Sequence, residues 1–330
     1  TGTDFLTTIR DEKGRPENPR SLVNTVFMKK SWDMAPGAEK SLRLIRAVGS
    51  SPADLARVEK EAVSLMNAPV TPYLTANEKL FSNIPDVIFP NDDLKMLYWT
   101  AFSMMRQVML PPEGSSSYNY YVFSREPTWG WGHGGQVFHE SITMMAYALM
   151  DPVSAMNSQR VYMERQFDNG YINYRTGSYL DQQIKTNGEL TSSAPWHAWQ
   201  NWELYKITKD RPFLKESYES SKRFYNYYTA NRDKDNDGLC EWGAHAVLES
   251  VRDALVAVWD EVGWPTHFDG LDVNAMLVNE ARALANMADE LGLDEEAAQW
   301  TSDADSRAKL INQYMWDEET GFYYNVDKET

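Results

Sequence analysis

Residues 271–314 read LDVNAMLVNEARALANMADEL, then GL, then DEEAAQWTSDADSRAKLINQY, and this stretch decides the fold. In its first part Leu271, Ala275, Leu277, Val278, Ala281, Leu284, Ala285, Ala288 and Leu291 recur at spacings of three and four. They form one wide apolar stripe on a helix. Only Gly292 and Leu293 separate this helix from the next, and so short a connection makes the two an antiparallel hairpin. The same pairing appears upstream. Helical patterns over 135–150 and 153–167 are joined by Asp151-Pro152, and those over 194–208 and 212–231 are joined by residues 209–211. Further helices are expected over 52–67, where Ser51-Pro52-Ala53-Asp54 is a good start signal, and over 92–109.

Between the pairs lie three long, aromatic, Gly-rich connections, 111–134, 169–193 and 233–270. Connections of that length in a helical domain are usually functional. A helix-pair period with long loops recurring at one end points to a mainly α fold, an (α/α)6 toroid of helical hairpins. A simple bundle would not need three such loops. Residues 1–50 differ. The segments 21–28 and 41–48 alternate or are β-branched, and Pro16, Pro19, Pro36 and Gly37 separate them. Residues 1–50 are therefore expected to be β-rich, the tail of an upstream β-sandwich domain, and 51–330 to be the helical domain.

Composition narrows the function. The 330 residues carry a formal net charge of −16, a field that repels nucleic acid, and no basic stripe offsets it. No apolar run is long enough to span a membrane. One cysteine, Cys240, excludes internal disulfides and does not decide the compartment, for which periplasmic or secreted is favoured over cytoplasmic. Aromatic residues make up 13% and the 12 Trp are clustered, which fits either a large core or a cleft that stacks sugar rings.

The densest chemistry lies in 241–272, EWGAHAVLESVRDALVAVWDEVGWPTHFDGLD, where Glu249, Asp253, Asp260, Glu261, Asp269 and Asp272 alternate with Trp242, Trp259 and Trp264. Glycoside hydrolysis needs such a setting. One carboxyl group has to stay protonated near neutral pH, and apolar surroundings raise its pKa, while a second carboxylate activates water. The loop Trp129-Gly130-Trp131-Gly132-His133-Gly134 could line a sugar subsite, with Glu140 one turn into the following helix and Trp196 at the start of another. A second motif is Asp233-Lys234-Asp235-Asn236-Asp237-Gly238-Leu239-Cys240-Glu241. Oxygen ligands alternate and Gly holds the sixth place, as in the first half of an EF-hand loop. Asp233, Asp235, Asp237, the Leu239 carbonyl and Glu241 are the candidate calcium ligands. Ala244 stands where the usual twelfth-position Glu would be. The alternative is an Asx-rich turn without metal. No organic cofactor is expected.

These motifs resemble the trehalase and processing α-glucosidase group, glycoside hydrolase families 37 and 63, which includes mannosylglycerate hydrolases. Glu249-Ser250-Val251-Arg252-Asp253 resembles the group's Glu-Ser-Gly-x-Asp motif. Asp272-Val273-Asn274-Ala275-Met276-Leu277 resembles the helix start that follows it. Residues 193–196 through 208–210, and 314–324, match two more patterns in the same order. Val251 replaces the motif's Gly, and 254–257 replace its polar continuation. The resemblance implies an inverting, exo-acting hydrolase of α-linked glucose- or mannose-type sugars, with Asp253 as general acid. Around that acid, Glu249, Arg252, Trp264, Trp129, Trp131, His133, Glu140 and Trp196 are expected to shape the substrate pocket, and some members of the group hold calcium at a loop like 233–241. The resemblance also implies that the toroid is incomplete at the C-terminus: the general base, a Glu in the last hairpin, and the missing C-terminal part of the same domain would follow Thr330. Two rivals stay open at this point. One is a polysaccharide lyase or sugar epimerase using Tyr118, Tyr120, Tyr121, His133 or His245. The other is a non-catalytic carbohydrate-binding toroid.

Overall fold

The computed structural model describes residues 6–9, 25–28, 30–47, 52–112, 114–122, 137–173, 176, 185–186, 189–190, 194–242 and 267–327. The chain divides into two compact units, Thr1–Lys79 and Leu80–Thr330.

In the first unit β1 (Leu6–Ile9) and β2 (Thr25–Met28) form an antiparallel pair with Leu6 opposite Met28. Of the two expected strands, 21–28 is present over its last four residues. Residues 41–47 contain no strand. This stretch has no partner strand, and Arg43 turns its guanidinium to the Met66 and Ala68 carbonyls, at 2.6 Å each. Those carbonyls end α1 (Leu55–Asn67), which follows a 3-10 turn at Pro52–Asp54, so Arg43 satisfies acceptors that the helix leaves open. Helix α2 (Thr71–Ser82) adds to the helices that periodicity predicts, and none of its residues is buried.

The second unit is built from helix pairs. Helix α3 (Asp92–Gln107) is capped by Asn91, packs against α4 and buries Phe102. Next come the pairs α4 (Val137–Met150) with α5 (Pro152–Glu164), α6 (His197–Thr208) with α7 (Arg211–Asn231), and α8 (Leu271–Leu291) with α9 (Asp294–Tyr314). Each tight connection has a local cause. Asp151 accepts from the Ser154 amide and Pro152 opens α5. Lys209 takes a left-handed conformation after α6, and Asp210 then caps α7. Gly292 does the same after α8, with φ of 77°.

The pairs stack in two layers. Val137 at the start of α4 clusters with Ala194 and Ala198 at the start of α6, whereas Tyr147 and Met150 cluster with Leu204 near its end. Between α6 and α8, Ala198 meets Glu280 and Tyr205 meets Glu290. Helices α4, α6 and α8 therefore run parallel. The contacts Arg160–Glu216, Gln166–Ser220, Tyr218–Glu296 and Tyr225–Asp303 show that α5, α7 and α9 form a second parallel set. The connections 111–136, 169–196 and 233–270 thus all enter the same end, where α4, α6 and α8 begin. Short strand pairs trim these connections: β3 (Met109–Leu110) with β4 (Tyr120–Tyr121), and β5 (Lys185–Thr186) with β6 (Glu189–Leu190). After α9, β8 (Trp316–Asp317) pairs with β9 (Phe322–Tyr323).

Two polar features hold the layers in register. Wholly buried His197 meets Ser220 at 3.0 Å, and Ser220 donates to Gln166 at 2.9 Å. Burial lowers the His197 pKa to about 3, so the ring is neutral. The second is Glu280. Helix α6 has no side-chain cap of its own, and Glu280 of α8 supplies one, accepting from the Ala198 and Trp199 amides at 2.8 Å each. Burial raises its pKa to about 7 against those amide donors, which lower it.

Below pH 7 the folded chain therefore holds a proton on Glu280 that the unfolded chain releases above about pH 4.5, so this contribution to stability grows as pH falls through that window. The stability of wild type relative to Glu280→Gln should rise by on the order of 2 kcal/mol from pH 8 to pH 5 in urea titrations. A difference that is constant with pH would remove Glu280 as its source.

Candidate active site

Three of the predicted site residues meet in the Asp turn. The carboxylate atoms of Asp233, Asp235 and Asp237 lie within 4.8 Å of one another. The turn is shaped for this convergence. Asn236 and Gly238 have φ of 61° and 92°, the Gly238 amide donates to Asp233 at 3.1 Å, and the Leu239 amide donates to Asp237 at 2.7 Å. Burial, then the neighbouring Asp237 charge, raises the Asp233 pKa, while the Gly238 amide and Arg307 pull it down. Glu241, the ninth position, is outside this cluster. Its side chain is buried and its amide donates to the Arg232 carbonyl at 2.7 Å.

From Glu241 the chain enters the acidic segment, and it returns at β7 (Phe268–Asp269). The two stems touch. Glu241 and Asp269 form an antiparallel bridge, and β10 (Val326–Asp327) pairs with β7 from the other side. The Gly270 amide donates to the Cys240 carbonyl at 3.3 Å. The Trp242 indole donates to Asp272 at 2.8 Å, in the first turn of α8. Burial raises the Asp272 pKa, opposed by that indole and by the Val273 amide. The stems that flank 243–266 therefore form a closed neck at the start of α8, the end where α4 and α6 also begin.

Asp253, Glu249, Arg252 and Trp264 lie within 243–266, outside the described residues, as do Trp129, Trp131, His133 and His245. Glu140 sits in the first turn of α4, and its side chain too lies outside them. Trp196 is partly buried directly before α6, with its ring 4.6 Å from that of Trp199 and tilted by 70°. This aromatic pair stands at the loop end of the helices. The tyrosines that kept an acid–base alternative open are used in packing: Tyr120 and Tyr121 are buried in β4, and Arg160 lies 5.8 Å over the Tyr118 ring. A polar groove between α7 and α9, about 840 Å³ and lined by Tyr225, Trp300 and Arg307 among others, flanks the Asp turn.

Sequence reasoning misses three residues of this region. Asn274 stands out only as part of a motif, Glu280 sits inside an apolar stripe, and nothing in the sequence around Arg307 marks it.

The description "Mannosylglycerate hydrolase MGH1-like glycoside hydrolase domain" belongs to the family model that matches residues 139–330, more than half of the chain. The chain belongs to that family. Among solved structures it is similar to an uncharacterized conserved protein from Thermus thermophilus, at 15% identity and a TM-score of 0.50, covering 69% of this chain and 65% of that one. It is also similar to the GH63 mannosylglycerate hydrolase of the same organism, solved in complex with glucose, at 15% identity and a TM-score of 0.49, covering 69% of this chain and 66% of that one. The chain thus spans just under two thirds of the length of these proteins. The first likeness bears on the fold and agrees with the helical pairs described above.

Within this family domain the Asp turn depends on Gly238. A Cβ there would meet the Leu310 methyl at 2.7 Å on a left-handed backbone. Gly238→Ala should cost about 1–3 kcal/mol in chemical denaturation. Gly292→Ala shares the left-handed strain but meets nothing within 4 Å, so it should cost less. Equal costs would rule out the close approach as the reason for Gly238.

Proposed function

We propose that the protein is an inverting, exo-acting glycoside hydrolase for α-linked glucose- or mannose-type sugars, built on an (α/α)6 toroid. The observation that carries this reading is the neck at Glu241 and Asp269, which ties the acid-rich segment to the end where α4, α6 and α8 begin. Family membership supports the same class of chemistry.

In this mechanism Asp253 donates its proton to the leaving glycosidic oxygen as the bond to the anomeric carbon breaks. Water attacks that carbon from the opposite face and gives a proton to the base, a second carboxylate. Inversion follows from the single displacement. Trp196 with Trp129, Trp131 and Trp264 would offer indole faces to the sugar, and His133, Glu140, Glu249 and Arg252 would bind its hydroxyls.

The test is turnover by the full-length protein of α-mannosyl- and α-glucosyl-glycerates and aryl α-glycosides, followed by NMR. The first product should be the β-anomer. Asp253→Asn should lower kcat by about 10²–10⁴-fold while the fold persists. An α-anomeric first product, or an unsaturated sugar absorbing in the near ultraviolet, would contradict the mechanism.

We also propose calcium at the Asp turn, held by Asp233, Asp235 and Asp237, with the Leu239 carbonyl and Glu241 next in line. The donor set suits it: hard carboxylate oxygens on a turn whose sixth residue is Gly. There the ion would neutralise three crowded acids beside the neck. Chelation should lower Tm, and calcium at about a hundred times its Kd should raise it by roughly 5–10 °C. A Tm indifferent to both treatments would leave a metal-free Asx turn.

A further inference from the structure

Asn274, the third residue of the Asp-x-Asn-Ala helix start that follows the acidic segment, is wholly buried. Its amide meets both stems of the neck. The Nδ2 group donates to the Gly270 carbonyl at 2.8 Å and to the Cys240 carbonyl at 2.9 Å. The Oδ1 atom accepts from the Cys240 amide at 2.9 Å and from Arg307 Nη1 at 2.9 Å. All four hydrogen-bonding sites of the side chain are in use, two as donors and two as acceptors.

Arg307 fixes which way the amide faces. It reaches from α9 with 5% exposure, and the same Nη1 donates to the Gly238 carbonyl at 2.7 Å. A cationic donor beside Oδ1 holds the oxygen toward Arg307 and the Cys240 amide, so the NH₂ group faces the two carbonyls. The guanidinium thereby joins three things: the Asp turn, the outgoing stem at Cys240 and, through Asn274, the returning stem at Gly270. Other residues of the same size cannot replace the amide. Asp would bring no donors to two carbonyls, and Leu would remove all four hydrogen bonds and take from the buried Cys240 amide its Oδ1 acceptor.

We propose that Asn274, oriented by Arg307, is a positioning residue for the acid-bearing segment: it locks the spacing of the two stems and so sets where residues 243–266 present their acid. This rests on the assignment of the acid to that segment. Asn274 touches no reacting atom in this account. Its effect on rate arises because an acid misplaced by about 1 Å can cost on the order of 10²-fold in turnover.

The test uses Asn274→Asp and Asn274→Ala in the full-length protein, with hydrogen exchange and steady-state kinetics on the same samples. Amides of Cys240, Glu241, Asp269 and Gly270 should exchange at least about tenfold faster in either variant, while those in the middle of α8 and α9 keep wild-type rates. With the best aryl α-glycoside, kcat should fall about 10–100-fold and KM should change less than about threefold. Asn274→Asp keeps the partners of Oδ1, so it remains informative should the Ala variant fail to fold. Faster exchange spread through α8 and α9, or a loss in KM with kcat unchanged, would overturn the proposal in favour of plain core packing. A wild-type protein without glycosidase activity would instead count against the proposed function, and the exchange rates would still decide whether Asn274 holds the neck.

Discussion

A helix packed on several sides has to satisfy every polar group that it carries inside, and α8 carries two, Asn274 and Glu280, both fully buried. An unpaired buried donor or acceptor costs about 1–3 kcal/mol, against about 1 kcal/mol gained for a hydrogen bond that is made. Neither residue could be kept in an apolar stripe without partners. The partners each has found are backbone groups of other segments. Glu280 takes the open amides at the start of α6, and Asn274 takes both stems of the acidic segment. The rest of the second unit depends on this requirement: it sets the register of α6 against α8 and fixes where residues 243–266 begin and end.

The layering then gathers the long connections at one end. With α4, α6 and α8 parallel, each long connection has to arrive where these helices start. Helix N-termini present amide donors and a positive partial charge. At α6 the Ala198 and Trp199 amides of that donor set are taken by Glu280. Among the described residues, the aromatic pair Trp196 and Trp199 stands at this end. The Asp turn lies beside the neck and is linked to it through Arg307, so charge at the turn and geometry at the neck are parts of one network.

Much of this is legible in the sequence because a period of three and four residues writes itself directly into side-chain pattern. The pairs α4/α5, α6/α7 and α8/α9 follow from it, with connections at Asp151, Lys209 and Gly292. Helix α2 escapes because Thr75, Asn77, Glu78 and Lys79 interrupt its apolar residues, so no clear stripe of three and four spacing forms. Residues 41–48 read as a strand from their alternation, but a strand needs a partner and none pairs with 41–47; Arg43 instead serves α1. In the site, the Asp turn is visible because its ligand spacing is local. The roles of Asn274, Glu280 and Arg307 are not, since each is defined by a partner at least 33 residues away for the bonds that matter most. Ala275 reads as part of the apolar stripe and is exposed, while Asn274 beside it is buried. A polar residue that helps fill a core disguises the face of its helix.

The central claim is that the segment held by the neck delivers the acid to the loop end of α4, α6 and α8. A crystal structure of the full-length protein with a non-hydrolysed thioglycoside analogue tests it most directly. The account predicts the sugar at that end, against Trp196, with the Asp253 carboxyl within hydrogen-bond reach of the sulfur that replaces the leaving oxygen. A sugar seated in the groove between α7 and α9, or at the loop end with no residue of 243–266 near the scissile bond, would contradict it.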